Sequence, residues 1–226
     1  MQVVVLADGA IGSRAALDAA WPGWLAPGAV IIAADGGARH AASLGLAIDE
    51  WVGDGDSLGQ DGVAELIAAG IPVDLADPEK DESDTELALI AALRRSPTAI
   101  TILGALGGPR TDHALANVTL LSMPALAEVD VRILAADARV RLLRAPSPGG
   151  GPAVLEVEGR VDDLVTLLPV GGDARGVTTD GLAYAIDGDI LLDGRTRGLS
   201  NRRTTELAHV TLRSGRIIVV ETPATL

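Results

Sequence analysis

The chain has 226 residues, a formal net charge of −13, 48% hydrophobic and 22% charged residues, and neither Cys nor Phe. Without Cys there is no disulfide, thiolate chemistry or Cys-ligated metal, and an acidic surface repels nucleic acid and anionic membrane, so neither is expected as a partner. Without Phe the core is expected from Ala, Leu, Val and Ile, and 17 of the 18 basic residues are Arg, so the single Lys, Lys80, draws notice.

The opening Met1-Gln-Val-Val-Val-Leu-Ala-Asp-Gly lacks a basic n-region and a long apolar h-region. No apolar run reaches the roughly 20 residues that span a bilayer. A cytoplasmic protein is expected.

Residues 1–145 alternate short apolar runs with helical patterns. Strands are expected at 3–7, 29–34, 48–52, 71–75, 99–103 and 129–134. Helices are expected at 13–20, 38–44, 62–69, 85–93 and 114–121. Such alternation predicts an α/β domain: a mostly parallel sheet with helices on both faces. Residues 146–152, Pro-Ser-Pro-Gly-Gly-Gly-Pro, suit a linker or an exposed loop, because Pro and Gly at that density continue neither helix nor central strand. From 153 to 226 the texture changes. Strands are expected at 153–158, 164–169, 183–186, 189–192, 206–213 and 216–221, with turns at Asp187-Gly188, Asp193-Gly194 and Ser214-Gly215. Short strands with Gly turns predict an antiparallel β-sandwich or barrel.

Ligands of open α/β sheets bind beyond the carboxyl ends of the strands, and polar motifs fall there. Gly53-Asp54-Gly55-Asp56-Ser57 sets two carboxylates at i and i+2, where they can converge on Mg2+ or merely cap the next helix. Lys80-Asp81-Glu82-Ser83-Asp84-Thr85-Glu86 places the only Lys at a helix start. It suits a nucleotide phosphate with bound metal, although Ser83 and Glu86 also form a capping box. Gly107-Gly108-Pro109-Arg110-Thr111-Asp112-His113, with Asn117 one turn later, offers helix amides and a guanidinium to phosphate. Asp112 is a candidate metal ligand or base. Asp35-Gly36-Gly37 is a phosphate cradle or a plain turn. Absence of a P-loop excludes that class, and absence of a dinucleotide fingerprint and of a nucleophile elbow argues against a dinucleotide site and a serine hydrolase of the nucleophile-elbow type.

Five motifs in this order resemble the thiamine pyrophosphokinase family: Ala34-Asp-Gly-Gly-Ala38, Gly53-Asp-Gly-Asp-Ser57, Lys80-Asp-Glu-Ser-Asp-Thr85, Gly107 to Asn117, and Gly198-Leu-Ser-Asn201. The resemblance implies a Rossmann-like ATP-binding domain, a C-terminal β-sandwich, a homodimer, and the reaction thiamine plus ATP to thiamine diphosphate plus AMP. It implies Asp54, Asp56 and Asp81 as Mg2+ ligands, with Asp84 and Asp112 near the phosphates as further catalytic candidates. Asp35, Gly36, Gly37, Ser57, Lys80, Thr85, Gly107, Gly108, Arg110, His113 and Asn117 become ATP-site candidates. Tyr184, Ser200 and Asn201 become thiamine contacts, Tyr184 standing where the family often carries Trp. The chain departs from the family pattern by Pro109 before Arg110 and by Arg202 after Ser-Asn. A diphosphokinase for another alcohol, such as a hydroxymethylpterin, and an inactive thiamine- or nucleotide-binding regulator are the alternative readings.

Overall fold

The computed structural model of the chain describes residues 1–147 and 150–224. Residues 148–149, in the middle of the expected linker, and 225–226, at the end of the expected β domain, lie outside the described residues. The chain divides into two units, Met1–Ala136 and Asp137–Leu226.

The first unit is built on six strands: β1 (Gln2–Leu6), β2 (Val30–Ala34), β3 (Glu50–Gly53), β4 (Val73–Leu75), β5 (Ala99–Leu103) and β6 (Asp130–Ala135). They pair in parallel in the order β6-β5-β1-β2-β3-β4. Every residue of β1 is buried, which explains why it reads as an unbroken apolar run: a central parallel strand is covered on both faces. The helices are α1 (Arg14–Ala20), α2 (His40–Leu44), α3 (Gly59–Ala68), α4 (Asp84–Leu93) and α5 (Thr111–Leu120). A short 3-10 turn, Asp35–Arg39, precedes α2. Ser13 caps α1 and Ser83 caps α4, each accepting a backbone N–H from the residue three positions on. Trp21, Trp24 and Trp51 are all buried, so the core is not purely aliphatic as composition led one to expect. Trp24 donates to the Asp18 carboxylate and Trp51 to the carbonyl of Asp35, which satisfies both indole N–H groups.

The strand order reverses at β1. The chain runs outward from β1 through β4, then returns to place β5 on the other side of β1. In open α/β sheets the crevice beyond the strand ends at such a reversal is the binding place.

The second unit is all β. Strands β7 (Ala138–Ala145), β9 (Leu164–Pro169), β12 (Asn201–Arg202) and β14 (Gly215–Thr222) run antiparallel in the order β12-β9-β14-β7. Strands β8 (Ala153–Glu158), β10 (Ala174–Asp180), β11 (Asp189–Leu191) and β13 (Leu207–Leu212) form a second antiparallel sheet, β11-β10-β13-β8. Alternate residues of both sheets, among them Leu143, Val165, Leu167, Ile217 and Val219 against Val157, Val177, Val210 and Leu212, share one core. That is the packing of a sandwich.

The division falls after Ala136 rather than at 145. Strand β7 pairs with β14 along its length and so belongs to the second unit. Residues 183–186 are not a strand, and β7, β10 and β12 are additional to the expected set. No helix among the described residues is long and apolar enough to cross a membrane.

Candidate active site

A cavity of about 460 Å³ opens beyond the carboxyl ends of the first unit's strands, a volume in the range of ligand pockets. Its wall includes Ala7, Asp8 and Gly9 after β1, Asp35 after β2, Asp54 after β3, and Gly104 and Ala105 after β5. The turns after β1 and β5 meet backbone to backbone. The Gly9 N–H donates to the Gly104 carbonyl at 2.9 Å, and a Cβ on Gly9 would stand 2.3 Å from that oxygen. Only Gly permits this approach.

Three carboxylates converge in the cavity. Oxygens of Asp35, Asp54 and Asp84 lie within 4.8 Å of one another, the one such group among the described residues. Asp35 is buried, with φ of 40°, and its two oxygens accept the Ser57 and Leu58 amides at 3.0 and 3.3 Å. Asp54 accepts the Asp56 amide at 3.1 Å through Oδ1 and the Lys80 ammonium at 2.7 Å through Oδ2. Asp84 opens α4, where the helix dipole favours a negative charge, and its Oδ1 lies 2.9 Å from Lys80 Nζ.

Lys80 therefore bridges two of the three acids. Its hydrogen bond, followed by that of the Asp56 amide, holds the Asp54 carboxyl below the usual range. Burial pushes the Asp84 carboxyl up, against the pull of Lys80. Burial alone would lower the Lys80 ammonium, but hydrogen bonds and charge from Asp54 and Asp84 outweigh it and hold it above its ordinary value. Three carboxylates face one ammonium, an excess of negative charge that suits a divalent cation. The all-oxygen donors fit Mg2+, which favours carboxylates, phosphate oxygens and water. The bridging ammonium itself marks a place where a cation is held.

Lys80, Asp84, Thr85, Ser57, Gly107, Gly108, Arg110, His113 and Asn117 line the same cavity. Asn117 donates to the Ala105 carbonyl at 3.0 Å and braces the turn after β5. Other expected residues stand elsewhere. Asp56 and Asp81 are exposed and lie outside the carboxylate group and the cavity wall. The structure thus groups Asp54 with Asp35 and Asp84, in place of the expected trio of Asp54, Asp56 and Asp81. The difference arises because β2 and β3 are neighbours and α4 begins at Asp84, whereas Asp81 sits in the preceding loop. Gly36 and Gly37 do not line the cavity. A Cβ on Gly37 would meet the Leu6 carbonyl oxygen at 2.0 Å, so this residue serves packing against β1. Asp112 pairs with Arg110 at 2.7 Å in the open, and that hydrogen bond lowers its carboxyl to about 2.

Two residues that sequence reading passed over also shape the site. Arg39 pairs with Asp8 at 3.3 Å and donates to the Ser57 carbonyl at 2.7 Å, tying the loop after β1 to the loop after β3. No motif marks Asp8 or Arg39, and only the strand order brings them together.

Residues 25–133, most of this first unit, match the family model "Thiamin pyrophosphokinase, catalytic domain". The first unit is thus similar to the catalytic domain of the thiamine pyrophosphokinases. It is 27% identical over 178 residues to the thiamine pyrophosphokinase of Bacillus subtilis, covering 79% of this chain and 78% of that one. The crystal structure of the Bacillus subtilis thiamine pyrophosphokinase shares the fold with a TM-score of 0.82 at 22% identity, over 98% of this chain and 99% of that one. The Candida albicans thiamin pyrophosphokinase does so at 0.74 and 17% identity, over 98% and 90%.

In the second unit, Tyr184 is 73% exposed and Ser200 is exposed with φ of 55°. Asn201 is buried, and its amide is bonded to the main chain of Tyr184 and Arg202.

Proposed function

We propose that this chain is a thiamine diphosphokinase, transferring the terminal diphosphate of ATP to the hydroxyl of thiamine to give thiamine diphosphate and AMP. The observation that carries the reading is the Asp35–Asp54–Asp84 group around Lys80, set among helix starts in a unit similar to the catalytic domain of the thiamine pyrophosphokinases. Asp35, Asp54 and Asp84 would hold Mg2+, whose charge offsets that developing on phosphate oxygens when it is bound. Arg110 and the amides that open α4 and α5 receive phosphate oxygens. Lys80 exchanges part of its carboxylate contact for phosphate. The thiamine oxygen bonds to the β-phosphorus, the bridge from that phosphorus to the α-phosphate oxygen breaks, and AMP leaves with the bonding electron pair. The hydroxyl proton passes to solvent, to a phosphate oxygen or to Asp112, whose carboxylate is released when Arg110 turns to phosphate. Holding both reactants in line, with charge preorganised around them, supplies most of the acceleration.

Tyr184 and Ser200 are the proposed acceptor contacts, the exposed ring stacking on a flat heterocycle. A cytoplasmic homodimer is proposed on the resemblance alone. Incubating the pure protein with ATP, Mg2+ and thiamine tests the reading: AMP and thiamine diphosphate should appear in equal amounts. ADP in place of AMP would mean single phosphoryl transfer and a different enzyme.

A further inference from the structure

Asn201 holds an unusual position between two segments. Its backbone pairs with Val165 in the β12–β9 ladder. Its side chain turns to residues 181–184, which run beside 201–204: Ala183 N–H donates to the Arg202 carbonyl at 2.8 Å, and Thr204 N–H to the Gly181 carbonyl at 2.9 Å. At Tyr184 the Asn201 side chain takes over this ladder. Oδ1 accepts the Tyr184 N–H at 2.9 Å, and Nδ2 donates to the Tyr184 carbonyl at 2.7 Å. Oδ1 also accepts the Arg202 N–H at 2.9 Å. Two donors facing one side of the amide and an acceptor facing the other fix its orientation, since the flipped amide would oppose like groups. The residue is 5% exposed, whereas the Tyr184 that it grips is 73% exposed.

We infer that Asn201 is a positioning residue: it clamps the main chain of Tyr184 so that the aromatic ring is presented to the acceptor, and it does not itself contact the acceptor. The inference rests on the proposed diphosphokinase reading for the identity of the acceptor. Its physical basis is that the amide oxygen and one amide hydrogen are already committed in a buried setting, where exchanging them for a ligand would leave the Tyr184 N–H and carbonyl unpaired. A fixed ring loses little freedom when a heterocycle stacks on it, whereas a mobile ring must first be ordered.

The test is a double-mutant cycle read in steady-state kinetics. Asn201→Ala and Tyr184→Ala should each raise the KM for thiamine about tenfold, with the KM for ATP unchanged. The double variant should be no worse than Tyr184→Ala within about twofold, because both changes remove one interaction. Asn201→Asp keeps an acceptor for the two N–H groups but turns a carboxylate oxygen toward the Tyr184 carbonyl, so it should raise the thiamine KM at least as far as Asn201→Ala. Asn201→Ser, neutral and too short to hold both Tyr184 groups, should raise it too, and it serves if the Ala variant fails to fold. Multiplying effects, about a hundredfold in the double variant, would show an independent Asn201 contact and overturn the inference. An Asn201 variant with unchanged thiamine KM would overturn it too. Should the wild type release no AMP from thiamine, the functional reading falls and amide exchange decides the clamp. Faster exchange at the Tyr184 N–H in Asn201→Ala supports it, and unchanged exchange overturns it.

Discussion

Each unit holds a cluster of charges of opposite excess. In the first, three carboxylates, Asp35, Asp54 and Asp84, face one ammonium, Lys80, on a cavity wall. In the second, three guanidinium groups, Arg139, Arg141 and Arg203, surround one carboxylate, Glu221, in the strand layer. The difference lies in how the surplus is spent. The arginines direct N–H groups at main-chain carbonyls, Arg139 to Glu158, Arg141 to Glu156, and Arg203 to Val157 and Glu206. Burial also lowers the Arg203 guanidinium, with Glu221 and Asp163 opposing that pull. This cluster cross-links strands and is scaffold. The acids of the first unit also accept main-chain amides, Asp35 from Ser57 and Leu58 and Asp54 from Asp56, but they line a cavity, and the side-chain cation beside them is Lys80, on Asp54 and Asp84. Excess charge next to open space is available to a ligand, whereas excess charge enclosed among strands is not.

The comparison yields opposite expectations for removing one carboxylate. Glu221→Gln removes the carboxylate shared by buried Arg203 and half-buried Arg139 and Arg141 and should cost about 3 kcal/mol of stability by urea denaturation. A loss near zero would mean that the carbonyls alone satisfy the arginines. Asp84→Asn should do the reverse in metal-free buffer and raise stability slightly, by about 0.5 kcal/mol, as relief of a strained functional site does. The sign follows from the raised folded carboxyl of Asp84. The fold favours its protonated form, so its contribution is greatest below the unfolded value and declines as pH rises through the folded one. The advantage of Asp84→Asn should therefore appear at neutral pH and vanish in acid, by the same denaturation curves. A loss at neutral pH would place Asp84 with the scaffold.

How much of this was legible in the sequence varies with physical cause. Strand β5 was plain at both ends, because an apolar run between helical segments has one reading. Strand β7 was hidden by Arg139, Arg141 and Arg144, which interrupt its apolar residues. Their use became visible only with β14 alongside and Glu221 opposite. The second unit's residues 183–186 carry apolar residues but no strand, because at Tyr184 an Asn side chain replaces the partner backbone. At the site, Asp54 was readable as a strand-end acid. Its companions were not, since choosing Asp84 over Asp81 depends on where α4 starts, and including Asp35 depends on β2 lying beside β3.

The proposed chemistry depends most on Asp35, Asp54 and Asp84 forming one cation site. Titration of Mn2+ followed by electron paramagnetic resonance, with a non-hydrolysable ATP analogue present, tests this directly. Asp54→Asn and Asp84→Asn should each weaken Mn2+ binding by about tenfold or more, at roughly 1.4 kcal/mol per tenfold, while Asp56→Asn and Asp81→Asn bind within about twofold of wild type. Loss of Mn2+ in Asp81→Asn with full binding in Asp84→Asn would contradict the site described here.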